Sequence, residues 1–170
     1  MSENFRTYKI LHVEDYSLLR SSYKARLELY VDSPSFGLEF FGANDVASSQ
    51  ESLLSNLDVD LAILDGKLLG DDHGRTVAQF IRDVIWPRQM AEDRELTAIM
   101  TLSADLYTVS FESAAYSKAS MNDIFNRVER IGLPAWIAEL KSKVPGQRSL
   151  RPIEGPDVNK GPRITESLHK

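Results

Sequence analysis

Residues 60 to 65 read Asp-Leu-Ala-Ile-Leu-Asp, an aliphatic run enclosed by two carboxylates. A short segment that is apolar on both faces predicts a strand at the centre of a parallel sheet, with helices covering each side. Ile10, Leu11 and Val13 form a second such run, and Glu14 and Asp15 close it. Between the two runs, Leu19, Tyr23, Arg26, Leu27 and Tyr30 recur at helical spacing over Ser17 to Tyr30, with Asp15 or Ser17 as the cap. Pro34 and Gly37 punctuate a loop, Leu38 to Phe41 read as a strand, and Val46 to Leu57 as a Ser-rich helix.

Downstream, Val77, Phe80, Ile81 and Val84 predict a helix from about Gly74 to Trp86, which Pro87 should terminate. Residues 88 to 95 are polar and read as a connection. Leu96 to Leu102 supply a fourth strand ending near Ser103, and Ala114 to Ser117 a short fifth. Ser120 with Asp123 resembles a capping box before a helix carrying Ile124, Val128 and Ile131, and Gly132 stops it. Pro134 starts a further turn or two around Trp136, Ile137 and Leu140. Five strands alternating with helices predict right-handed crossovers and an open, doubly wound α/β sheet.

Composition sets the limits. A chain of 170 residues is the size of one domain with a tail, and no aliphatic run approaches the length needed to cross a bilayer. The first nine residues carry no apolar stretch that would serve as a secretory signal. With no cysteine, disulfides, thiolate metal sites and Cys nucleophiles are excluded, and a soluble cytoplasmic protein is expected. The net charge of −5 is unevenly spread. Residues 141 to 170 hold seven Lys or Arg against three Asp or Glu, which leaves residues 1 to 140 with 13 basic and 22 acidic side chains. An acidic body is a poor nucleic-acid surface, so nucleic-acid binding is not expected. The last stretch is rich in Pro and Gly without apolar period, so residues 1–144 are read as the folded domain and 145–170 as a basic, flexible tail.

Chemistry gathers where ligands bind in such sheets, beyond the carboxyl ends of the strands. Glu14 and Asp15 close the first strand, Asp65 the third, Ser103 the fourth and Lys118 the fifth. With strand order 2-1-3-4-5, strands one and three are neighbours, so three carboxylates converge on one mouth. Like charges that close require a cation. Mg²⁺ fits an all-oxygen set that leaves coordination places for water and phosphate. Lys118 would add a positive charge for phosphate oxygens, and the Ser103 hydroxyl a donor. His12, inside the first strand, reads as a hydrogen-bonded core histidine. His73 has no second His or Cys near it in the sequence to make a zinc site.

These stretches resemble the receiver domain of two-component response regulators, over about residues 7 to 131: Ile-Leu-His-Val-Glu-Asp at 10–15, Asp-Leu-Ala-Ile-Leu-Asp-Gly-Lys-Leu-Leu-Gly at 60–70, Ser103-Ala104, and Lys118 ahead of the last family helix. The resemblance implies a flavodoxin-like fold and a stand-alone receiver whose Asp65 accepts a phosphoryl group from a histidine kinase or phosphotransfer protein. Glu14, Asp15, Asp65 and the backbone carbonyl of Lys67 would hold Mg²⁺, while Ser103 and Lys118 contact the phosphoryl oxygens. Ser103 and Tyr116 would be the switch residues, and a downstream protein the target. No enzymatic output module is expected, and a homodimer is left open.

The chain also departs from the family. Ala119 stands where Pro usually follows the Lys, and Ala115 where the switch aromatic usually lies, with Tyr116 one place nearer. Residues 104 to 117 leave room for only a short or irregular fourth helix. Two alternatives follow: a receiver-like interaction module that is not phosphorylated, or a Mg²⁺-dependent phosphohydrolase using Asp65. The haloacid-dehalogenase type of the latter wants a second Asp where Lys67 stands.

Overall fold

The computed structural model describes residues 5–31, 35–66, 74–102 and 116–144, with 116–119 described by their backbone alone. Five parallel strands, β1 (Arg6–Val13), β2 (Phe36–Ala43), β3 (Leu61–Asp65), β4 (Ala98–Leu102) and β5 (Tyr116–Ala119), form one sheet in the order β2-β1-β3-β4-β5. Strand order reverses between β1 and β3, which places the topological switch point at the ends of those two strands. The aliphatic runs explain the arrangement. Leu61, Ala62, Ile63 and Leu64 are buried on both faces, as are Ile10, Leu11 and Val13 beside them. Burial of this kind is available only to strands with neighbours on each side and helices above and below.

Helices α1 (Ser17–Glu28), α2 (Val46–Ser55) and α3 (Gly74–Phe80) follow β1, β2 and β3. One of their starts differs from expectation. The N-cap of α1 is Tyr16, with no side-chain cap bond, in place of Asp15 or Ser17. At α2, Asp45 and Ser48 form a reciprocal capping box.

The helix after β3 does not stop at Pro87. It passes through a π-helical segment (Ile81–Ile85) into α4 (Trp86–Ala91). Trp86 N–H bonds to the Ile81 carbonyl five residues back. A proline ring crowds the carbonyl four residues before it and offers no N–H. The widened π turn relieves that crowding, and Pro87 sits in the first turn of α4, where a missing N–H costs nothing.

Helix α5 (Met121–Ile131) opens on the expected Ser120–Asp123 capping box and closes at Gly132, whose φ of +85° only glycine adopts readily. Tyr23 of α1 meets Phe125 of α5 edge-on at 6.2 Å, and the Arg26 guanidinium lies 3.9 Å above the same ring, so α1 and α5 share one layer. Helix α6 (Leu133–Ser142) buries Leu133, Trp136, Ile137 and Leu140. Arg127 and Glu139 join it to α5 through two hydrogen bonds, at 2.8 and 3.0 Å.

At the N-terminal ends of the strands, Asp60 is buried and acts as a hub. It accepts from Arg6 (2.8 Å), from Lys141 at the end of α6 (2.5 Å) and from the Lys9 backbone N–H (2.9 Å). Lys141 and Arg6 also hold the Glu95 carboxyl down at about 2. In the sequence Asp60 marks only the edge of a strand; its role as the anchor of α6 comes from contacts between residues far apart in the chain.

His12 is fully buried between Tyr23 and Phe40, with ring centroids 5.5 and 5.8 Å away. Neither ring nitrogen has a hydrogen-bond partner among the described residues, so the expected hydrogen-bonded histidine is not found. Burial first, and then the nearby Arg20 charge, push its pKa down to about 4, so the ring is neutral at physiological pH. The expected short helix between β4 and β5, and the tail at 145–170, lie outside the described residues.

Candidate functional site

The carboxyl ends of β1 and β3 carry the acidic residues. Their register pairs Val13 with Leu64, so the next residues along each strand, Glu14 and Asp65, are also neighbours. Glu14 N–H bonds to the Ala43 carbonyl at 2.9 Å and extends the β1–β2 ladder by one residue. Its side chain accepts from the Tyr16 backbone N–H at 3.0 Å, folding back over the turn into α1. Asp65 ends β3, paired across to Leu102 of β4. One carboxylate oxygen from each of Glu14, Asp15 and Asp65 lies within 4.8 Å of the others. The three predicted acidic residues therefore meet.

Glu14 is 5% exposed, so the notch is partly desolvated. Burial is the main cause that lifts its carboxyl to about 7; the bond from Tyr16 opposes the shift, and Asp15 and Asp65 add to it. The Tyr23 phenol beneath is pushed up as well, by burial and then by the charges of Glu14 and Asp65. The donor set fits Mg²⁺. All ligand atoms are oxygens, they lie within 4.8 Å of one another, and the carboxyl that is costliest to ionise is the one a divalent charge would relieve.

Of the other predicted site residues, Lys118 lies in β5, paired with Thr101, one position before the row Asp65–Leu102–Ala119. Tyr116 opens the same strand opposite Ile99. Lys67, Ser103 and His73 lie outside the described residues.

Gly74, which in the sequence marks only the start of a helix, belongs to this site. An added Cβ would stand 2.0 Å from the Asp65 carbonyl oxygen, closer than any real contact, and Gly74 N–H bonds to the Gly66 carbonyl at 3.3 Å. The start of α3 therefore abuts the backbone of Asp65, and only glycine permits that approach. Gly74→Ala is expected to destabilise the chain by roughly 2 kcal/mol or more and to weaken Mn²⁺ binding at the notch. Urea unfolding and a cation titration check both parts.

No family model and no curated protein matches this sequence. Solved structures do match. The response regulator domain of Thermotoga maritima CheB superimposes with a TM-score of 0.52 at 12% identity, over 81% of this chain and 98% of that one. The non-phosphorylated receiver domain of the stress response regulator RcsB from Escherichia coli gives 0.52 at 14%, over 81% and 95%. The fold is that of a receiver domain. Within this receiver fold the acidic notch occupies the switch point of the sheet. No helix among the described residues is long and apolar enough to cross a membrane.

Proposed function

We propose that this receiver-fold chain is a phosphoacceptor that takes a phosphoryl group from the phosphohistidine of a kinase or phosphotransfer protein onto Asp65, in the cytoplasm, and signals by binding a downstream protein. The observation that carries the reading is the convergence of Glu14, Asp15 and Asp65 at the ends of adjacent strands. Carboxylates held together at an energetic cost are unexplained by the needs of the fold and suit a cation-dependent reaction.

In this reading Glu14, Asp15 and Asp65, with the Lys67 carbonyl, hold Mg²⁺, which when bound neutralises charge on the phosphoryl oxygens. An Asp65 carboxylate oxygen attacks phosphorus in line. The new P–O bond forms as the P–N bond to the donor imidazole breaks, and the electron pair returns to that ring nitrogen. Lys118 neutralises an equatorial oxygen and Ser103 donates a hydrogen bond to another. Movement of Ser103, with Tyr116 as the aromatic partner, then alters the surface offered to the target.

Intact-mass measurement after treatment with acetyl phosphate and Mg²⁺ tests this. One added phosphoryl group is expected, not formed when EDTA replaces Mg²⁺ and absent from Asp65→Asn. An unmodified wild-type chain, or equal labelling of Asp65→Asn, turns the reading toward an interaction module that keeps the fold without the reaction. Steady turnover of p-nitrophenyl phosphate would instead indicate a phosphohydrolase.

A further inference from the structure

The turn that carries Glu14 and Asp15 is held from an unexpected side. Arg20, one helical turn into α1, is half-buried and points its guanidinium back at the sheet, where it donates to the Glu14 backbone carbonyl. The guanidinium stem lies over β2 at Gly42, the residue paired with His12 of β1. A Cβ added at Gly42 would stand 3.1 Å from Arg20 Nε and 3.3 Å from Cδ. Gly42 thus provides the seat in which the Arg20 side chain rests.

Every polar group of Glu14 is thereby engaged: the N–H by Ala43, the carboxylate by Tyr16 and the carbonyl by Arg20. The first two contacts come from the ladder and from the turn itself. The third is a side chain reaching in from α1. The peptide whose carbonyl Arg20 holds is the one joining Glu14 to Asp15, so its plane sets the relative direction of the Cα–Cβ bonds from which both carboxylates extend. We propose that Arg20 is a positioning residue: its guanidinium, seated over Gly42 and bonded to the Glu14 carbonyl, fixes the peptide that aims the Glu14 and Asp15 carboxylates at Asp65 and so tightens divalent-cation binding. This rests on the phosphoacceptor reading in taking the notch to be a cation site.

The inference makes a prediction opposite in sign to plain electrostatics. A positive side chain beside a cation site repels the cation, so if Arg20 acted only through its charge, Arg20→Gln would bind the ion more tightly. A positioning role predicts the reverse, since loss of a group that orients metal ligands commonly weakens affinity about 10- to 100-fold.

The experiment titrates the full chain with Mn²⁺, read as free ion by electron paramagnetic resonance, and with Mg²⁺ by calorimetry. Arg20→Gln should bind about tenfold more weakly or worse, and Arg20→Lys, which keeps a charged donor, should recover part of the loss. Gly42→Ala leaves the arginine charge in place but crowds the Nε and Cδ atoms that rest on Gly42, and it should weaken binding by less than Arg20→Gln does. Circular dichroism confirms that each variant is folded at the titration temperature. Equal or tighter binding by Arg20→Gln, with the wild type binding normally, overturns the inference and leaves the phosphoacceptor reading standing. A wild-type chain that binds neither ion overturns both.

Discussion

In cation-free buffer at pH 8, Glu14→Gln is expected to be more stable than the wild type by about 3 kcal/mol. The Glu14 carboxyl is raised from 4.5 to about 7, chiefly by burial and further by Asp15 and Asp65. Between those values the native state holds a proton that the unfolded chain has released. The favourable contribution of that proton is complete below pH 4.5 and is lost as pH rises through 7, so stability falls across the window. Above it, the native chain carries a buried carboxylate facing two others. Glutamine keeps an oxygen to accept from Tyr16 N–H and removes the charge. The gain should therefore be near zero at pH 4.5, grow toward pH 7 and level off beyond.

Millimolar Mg²⁺ should close the gap from the other side. It stabilises the wild type by binding the native state alone, and it stabilises Glu14→Gln far less because a ligand charge is gone. Urea unfolding at pH 4.5 and pH 8, with EDTA and with MgCl₂, gives the four values required. A variant less stable than wild type at pH 8 in EDTA, or a gain that does not change with pH, would show that burial and the neighbouring carboxylates do not make Glu14 costly to ionise.

What was legible in the sequence follows from the kind of interaction involved. Strands such as Leu61–Asp65 were readable because burial on both faces leaves an unbroken aliphatic run, and the strand order then brought Glu14, Asp15 and Asp65 together. The Ser120–Asp123 cap was readable because both partners lie within four residues. Arg20, Gly42 and Gly74 were not. Arg20 acts on a backbone carbonyl, which every residue possesses, and the two glycines matter for the atoms that approach them from other elements. The Asp45–Ser48 cap carries Ser where a Glu or Gln would have marked it.

Pro87 misled for a different reason. The rule that proline ends a helix assumes a regular α ladder, and tertiary contacts maintain an irregular one here. Gln89, two residues beyond Pro87 and part of a stretch read as a polar connection, is fully buried. Its amide nitrogen donates to the Leu57 carbonyl at 2.9 Å and to Thr97 Oγ1 at 2.7 Å, and its amide oxygen accepts from Thr97 N–H at 3.0 Å. The Thr97 hydroxyl donates in turn to the Val59 carbonyl at 2.7 Å, and Trp86 Nε1–H donates to the Thr97 carbonyl at 2.8 Å. One side chain thus satisfies the backbone of the segments that feed β3 and β4, and α4 persists because Gln89 must reach them.

Gln89→Ala is therefore expected to cost about 3–5 kcal/mol, the sum of a cavity and of buried groups left unpaired. Gln89→Glu separates the two contributions. It fills nearly the same volume, but it sets an oxygen against the Leu57 carbonyl and the Thr97 hydroxyl and buries a charge, so it should be no more stable than alanine at pH 7. A tolerant Gln89→Glu would mean that packing alone sustains α4. On the phosphoacceptor reading, both variants, held below their melting temperatures, should accept a phosphoryl group at Asp65 as the wild type does. The network sits at the N-terminal ends of β3 and β4, and the acidic notch lies at the opposite end of β3. Loss of labelling at temperatures where the chain is still folded would show that the two ends of the sheet are coupled through its central strands.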